Sequence, residues 1–230
     1  MRNIQTAIQN ANLQNNIKVS TTHASDVNNG FPPSKGVFKD EVKDTMKSLL
    51  QFLSDHGSPF LANIYPYFSY IGNRGSISLE YSLFKSTSTV VQDGDRSYNN
   101  LFDALVDTFL SAIEALGYPN IPLIVTESGW PSGGEDVATV DNARAYNNNL
   151  IRHVLSNAGT PKRPGTSIET YIFSLFNEDK KTGAETERHF GLFYPNQQSV
   201  YPVSFLHNCV AGELQVGPSP YAKCPDTYII

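Results

Sequence analysis

A carboxylate placed directly after a short apolar run is the first place to look for chemistry in this chain. Ile121–Val125 (IPLIV) reads as a buried parallel strand, and it breaks off into Thr126-Glu127-Ser128-Gly129-Trp130-Pro131. Enzymes built as α/β barrels carry their reactive groups at the C-terminal ends of strands. Glu127, beside the chain's only Trp, is therefore a candidate catalytic carboxylate. Gly129 is expected to let the backbone turn sharply, and Pro131 to end the strand. Burying an ionised Glu costs several kcal/mol unless it is paired, so a solvated loop acid is the competing reading of the pattern.

A second charged group, Glu178, Lys181 and Glu187, follows the apolar segment Glu169–Leu175. By itself it reads equally as an ion-pair cluster on a solvated loop. The five His residues (23, 56, 153, 189 and 207) form no sequence cluster, and only His189 shares a segment with this group. There is no GxGxxG, P-loop or HExxH motif, so nothing calls for a nucleotide cofactor or a metal. Cys209 and Cys224 lack zinc-type spacing; a bridge between them and two free buried thiols remain equal alternatives.

The elements that would position these groups alternate between strand and helix. Arg2–Leu13 has helical periodicity, and Ile17–Ser20 reads as a strand. A helix over Asp40–Leu53 and a strand over Phe60–Ile64 follow. Gly72–Ser97 reads as a small hairpin-like insertion, with alternation through Ile77–Phe84 and a turn at Asp93–Gly94. Tyr98–Leu116 is a strongly amphipathic helix that Gly117 would close. Then come a strand over Ile121–Thr126, a helix over Asp141–Leu155, a rigid loop over Thr160–Gly165 and a strand over Glu169–Leu175. Four strands separated by helices argue for an α/β fold with a parallel sheet.

Three segments carry a family resemblance. LIVTESGWPSGG closely resembles the hallmark of the plant endo-1,3-β-glucanases of glycoside hydrolase family 17. ETYIFSLFNEDKKTGAETERHFGLFYPN (Glu169–Asn196) resembles that family's last strand and the active-site loop after it, and NIYPYFSY (Asn63–Tyr70) resembles its sixth-strand segment. The resemblance implies a TIM (β/α)8 barrel of which residues 1–205 supply the C-terminal half, about four βα units, with 206–230 a divergent tail. It implies that Glu127 is the nucleophile of a retaining hydrolysis, for which two carboxyls lie ~5–5.5 Å apart. Glu178, Lys181 and Glu187 would be supporting residues of the cleft. Tyr65, Phe68 and Trp130 would stack on glucose rings, and Asn177, in the strand-eight motif, would lie among the substrate-binding residues. The family's proton donor is the Glu of a Val-Gly-Asn-Glu segment, and no such segment occurs in these 230 residues. Glu178 and Glu187 are the alternative acids.

The partner implied is a β-1,3-glucan. A net charge of −5 without a Lys/Arg run argues against nucleic acid. No run of 18 apolar residues would span a membrane. The family is secreted or vacuolar, although MRNIQTAIQNANLQ does not read as a secretory signal, and the chain has no N-x-Ser/Thr sequon. Half a barrel would leave open strand edges, so self-association is expected. A non-catalytic glucan-binding fragment is the alternative function.

Overall fold

The structure, a computed structural model, describes residues 1–205. The expected C-terminal tail and its Cys209–Cys224 pair lie outside the described residues. Four strands form the central sheet: β1 (Thr22–Ala24), β4 (Phe60–Asn63), β7 (Leu123–Ser128) and β10 (Thr170–Ile172), all parallel and adjacent in that order. Parallel neighbours need long crossovers. Three helices supply them: α2 (Asp40–His56), α5 (Leu101–Ala115) and α6 (Val140–Leu155), while α1 (Arg2–Asn10) precedes β1.

Each crossover helix is delimited by local chemistry. Asn100 accepts from Asp103 N at 2.8 Å to start α5, and Thr139 accepts from Asn142 N at 3.2 Å to start α6. Asp40 and Glu41 occupy the first turn of α2, where the helix dipole favours negative charge. As expected, Gly117 follows α5 with φ +93°, a conformation open to glycine at little cost. The core joins Phe60, Ala62 and Val125 of the sheet to Leu50 and Leu53 of α2, Phe102 and Phe109 of α5, and Tyr146 and Leu150 of α6.

Several element boundaries differ from the sequence expectation. The first strand is Thr22–Ala24, not Ile17–Ser20. In the β1–β4 register, residues 17–20 run beside 56–59, the end of α2 and its cap, which offer no strand partner. Lys18 Nζ instead donates to His56 O (3.0 Å), and Ser20 Oγ to Pro59 O (2.6 Å). The alternation at Ile77–Phe84 does not form a strand: Ser78 accepts from Tyr81 N and starts the short helix α4 (Leu79–Ser82). It follows α3 (Pro66–Gly72), and the insertion's hairpin is β5 (Val91–Asp93) with β6 (Arg96–Tyr98). Asp93 ties that hairpin to the loop after β1 by accepting from Ser34 N and Ser34 Oγ, both at 2.7 Å. That loop carries the pair β2 (Asn28–Asn29) and β3 (Val37–Phe38). The rigid loop at 160–165 is the tight hairpin β8 (Gly159–Thr160) and β9 (Arg163–Pro164). The last strand ends at Ile172, because residues 174–177 pair with 190–193 rather than with β7.

Asp107, inside α5, is fully buried and fastens two of these appendages. It accepts from Tyr98 Oη (2.8 Å) on the hairpin and from Lys162 N (2.9 Å) between β8 and β9. Burial pushes its carboxyl up to about 6, against hydrogen bonds from Thr160, Tyr98 and Lys162 that pull it down. The folded protein therefore binds this proton more tightly than the unfolded chain. The associated stability is full below pH ~3.8 and is lost as pH rises to about 6, a change on the order of 3 kcal/mol. His23, whose pKa burial lowers, acts in the opposite direction, so the total curve mixes several groups. Asp107→Asn removes this contribution alone. The difference between urea-unfolding free energies at pH 4 and pH 7.5 should shift accordingly between parent and variant.

Candidate active site

Glu127 is the penultimate residue of β7 and half-buried. Its aim is set by an irregularity in the ladder. Ala62 pairs with Val125 and Asn63 with Glu127, so Thr126 is an extra residue on β7 relative to β4. The register with β10 also shifts between Thr170–Val125 and Ile172–Ser128. An inserted residue bends the strand and re-aims the side chains beyond it. Thr126 Oγ1 donates to Asn63 Oδ1 at 2.9 Å, which holds the extra residue in place.

Beyond the bulge the backbone crowds. Gly129 does not make a positive-φ turn; instead a Cβ there would sit 2.1 Å from Phe173 O. The glycine is needed for close approach of the segment after β10, which Phe173 N→Ser128 O (2.9 Å) fastens.

Tyr65, two residues beyond the end of β4, donates its phenol to Glu127 Oε2 at 2.8 Å. Burial, and after it the charge and hydrogen bond of Glu127 and the charge of Glu187, push the Tyr65 phenol far above its ordinary range. It therefore remains a donor, with one carboxylate oxygen of Glu127 occupied by it. The ring lies against Phe68 (5.3 Å), Phe190 (5.8 Å) and Phe173 (6.3 Å). Lys181 Nζ stands 4.8 Å above the Phe173 ring and bridges Glu178 Oε2 (3.0 Å) and Glu187 Oε2 (3.1 Å). Burial disfavours the Lys181 charge, but the two carboxylates outweigh it and raise its pKa. The structure thus gathers Glu127, Tyr65, Glu178, Lys181 and Glu187 at the C-terminal ends of β4, β7 and β10.

The aromatic and amide residues divide differently from expectation. Phe68 is 47% exposed and offers a ring to solvent. Trp130 offers none: it is fully buried, donates Nε1 to Val137 O at 2.9 Å, and packs on Tyr67 (5.1 Å) and Tyr146 (5.7 Å). It supports the wall from behind instead of stacking on a ligand. Asn177 is also buried, and its Oδ1 accepts from Gly191 N at 2.8 Å, closing the strand-like pairing of 174–177 with 190–193. Phe173 and Phe190 are wall residues that sequence reasoning passed over, although both lie in the Glu169–Asn196 segment. Arg74 was missed as well. It holds Asp136 with two bonds (2.6 and 2.7 Å) and Glu135 at 3.5 Å, joining the loops after β4 and β7 across 62 residues of sequence with no local signal. His189 bonds Glu185 Oε1 at 2.9 Å and packs on Gly133, away from the Glu127 carboxylate's own hydrogen-bond partners. Among the described residues, no group of three His, Cys, Asp or Glu is placed to hold a metal ion.

Residues 1–205 match the family model Glycosyl hydrolases family 17. The chain belongs to that family. It is 58% identical to a maize glucan endo-1,3-beta-glucosidase, acidic isoform, over 89% of this chain and 60% of that protein. A Vitis vinifera glucan endo-1,3-beta-glucosidase is 52% identical over 89% of this chain and 59% of its own length. Among solved structures, CJP38, a beta-1,3-glucanase and allergen of Cryptomeria japonica pollen, superposes with a TM-score of 0.86 at 69% identity, covering 89% of this chain and 63% of CJP38. The chain spans about six-tenths of the length of the curated relatives it matches. Its four parallel strands and their helices are accordingly part of an α/β barrel. No helix among the described residues is long and apolar enough to cross a membrane.

In this family-17 chain the buried Trp of the Glu-Ser-Gly-Trp segment fixes the wall behind the strand-end acid. Trp130→Ala should therefore cost on the order of 3–5 kcal/mol of stability, measured by denaturant unfolding. A loss under ~1 kcal/mol would mean that the site collapses around the gap and that Trp130 is not a central support.

Proposed function

We propose that this chain contributes the nucleophile side of a retaining endo-1,3-β-glucanase cleft, with Glu127 as the nucleophile. The observation that carries this reading is the Tyr65 Oη–Glu127 Oε2 hydrogen bond at the strand ends. One carboxylate oxygen is held, and the other is left to attack the anomeric carbon of an internal β-1,3-linked glucosyl unit. Attack forms a glycosyl ester as the bond to the leaving oxygen breaks. Water then attacks the same carbon and releases the carboxylate. Phe68 presents an apolar face suited to the C–H side of a glucose ring. The Glu178–Lys181–Glu187 group supplies hydrogen bonds and charge to hydroxyls beside it, and the named activity of the maize and CJP38 relatives supports the substrate class. A secreted or vacuolar setting is the one the family resemblance implies.

A proton donor for the leaving oxygen is needed on the opposite side. Glu178 Oε2 and Glu187 Oε2 both accept from Lys181, which gives them a supporting place on the Glu127 side of the cleft. The acid is therefore assigned to the family's Val-Gly-Asn-Glu segment, which these 230 residues do not include. General acid catalysis contributes typically 10²–10⁴-fold, so the 230-residue polypeptide alone should release reducing sugar from soluble β-1,3-glucan at least ~10²-fold more slowly than with a complementing upstream barrel segment. An aryl glucoside, whose leaving group departs unprotonated, should suffer less. Glu127→Ala should abolish the complemented activity, and His189→Ala should change it little. Full turnover by the polypeptide alone would instead make Glu178 or Glu187 the acid.

A second reading, glucan binding without hydrolysis, rests on the exposed Phe68 ring and the Lys181-bridged carboxylates, which can hold a sugar without cleaving it. It predicts glucan affinity with no product release even after complementation. Among the described residues β1 and β10 each pair on one side only, so the polypeptide alone should also associate through these edges. Sedimentation as a single monomeric species would count against that.

A further inference from the structure

A cavity of about 410 Å³ opens on the outer wall of the barrel, between α6, the start of α5 and the segment just after α4. Asn149, Arg152 and His153 line it from α6, Asn99 and Asn100 from the start of α5, and Phe84 and Ser86 from the third side. The Phe84 ring lies 5.7 Å from Tyr146, whose own ring lies 5.7 Å from Trp130. The aromatic stack therefore separates this cavity from the Glu127 cleft.

The floor is built and rigid. Asp103, 4% exposed, accepts from Asn100 Nδ2 (2.8 Å) through one oxygen and contacts His153 Nε2 (2.8 Å) through the other. Asn100 in turn caps α5 and donates to Asn99 Oδ1 at 3.2 Å. Asn149 is oriented by donation to Leu83 O (2.7 Å) and by the Arg152 guanidinium, which also donates to Asn148 O. The Asn99 amide nitrogen, the Ser86 hydroxyl and Arg152 Nη1 make no hydrogen bond within the described residues, and all three residues line the cavity. Phe84 holds φ +58°, an uncommon conformation for an aromatic residue, with its ring at the cavity wall.

We propose that this cavity is a second carbohydrate site, remote from the cleft, that takes one glucosyl unit of a β-1,3-glucan. Planar amide and guanidinium groups match vicinal hydroxyls, and an aromatic wall matches the C–H face of a sugar ring. The volume lies within the range usual for small-ligand sites. Arg152 is the single guanidinium among the lining residues, and the Asp103 carboxylate stands behind His153 and Asn100, so charge favours a neutral ligand over an anion. The choice of glucan as the ligand rests on the reading of the cleft above; the choice of a neutral polyol does not. Such a site would hold the enzyme on an insoluble polymer while the cleft acts on another stretch of it.

Affinity electrophoresis of the 230-residue chain carrying Glu127→Gln, through native gels containing soluble β-1,3-glucan, tests this. Retardation should fall part-way with Phe68→Ala in the cleft. It should fall about a further 5-fold when Asn99→Ala and Arg152→Ala are added, the usual scale for lost hydrogen bonds. Both residues are exposed, and an unchanged circular dichroism spectrum and melting temperature would show that the variants fold. No effect of Asn99→Ala and Arg152→Ala in either background overturns the proposal, and the cleft reading then stands if Phe68→Ala alone weakens binding. Loss with the cavity variants but none with Phe68→Ala supports the cavity and overturns the cleft assignment. Release of the retardation by millimolar inorganic phosphate would make the cavity an anion site and overturn the proposal. So would the absence of any retardation of the parent chain.

Discussion

Parallel pairing of β7 with β4 on one side and β10 on the other fixes where every charged group of the cleft can stand. Because the three strands run the same way, their ends deliver Tyr65, Glu127 and Phe173 to one face without any of them being near the others in sequence. The extra residue at Thr126 then decides the direction of the Glu127 carboxylate. A half-buried carboxylate is tolerated there because Tyr65 donates a hydrogen bond to it.

The aromatic residues form two layers around that carboxylate. Tyr65, Phe68, Phe173 and Phe190 make the inner wall, in edge and tilted contacts with one another. Trp130, Tyr67 and Tyr146 stand behind them, with their polar atoms bonded to Val137 O, Glu135 and Ser128 respectively. Buried indole and phenol groups need such partners, and having them turns a greasy wall into one with a single arrangement. Arg74 adds an exposed bidentate grip on Asp136, which joins the two loops that bear the inner and outer layers. An exposed pair of this kind contributes modestly to stability, and its effect lies mainly in keeping the loops in register.

The appendages are fastened through buried acids in addition to the small apolar cluster that Tyr81, Tyr98 and Val91 form with Leu101 and Ala104. Asp93 holds the hairpin to the loop after β1, Asp107 holds it to α5 and to the β8–β9 turn, and Asp103 organises the cavity beside α6. Short segments lack the apolar area to fold back by burial alone. A carboxylate with two or three donors fixes their position at the cost of desolvation, which explains the raised Asp107 pKa.

Periodicity and capping in the sequence were enough for the alternating architecture, a helix within 98–116 with its closing Gly117 (the first residue of that span, Tyr98, belongs instead to β6), and the strand that presents Glu127. The family membership was legible too, since three ordered segments carry it. Those signals are local, and a residue's neighbours along the chain are enough to read them. What the tertiary structure alone decided depends on partners far apart in sequence. It moved the first strand to 22–24 because β4 begins only at Phe60, and it turned the 79–82 alternation into a helix because Ser78 caps it. It buried Trp130 and Asn177, which composition places equally well in a sugar cleft, and it gave Tyr65 a carboxylate 62 residues away. Gly129 shows the distinction most simply. The sequence offers a glycine that reads as a turn, whereas only the approach of Phe173 O to within 2.1 Å of a Cβ there says that the cause is the segment after β10 and not a turn.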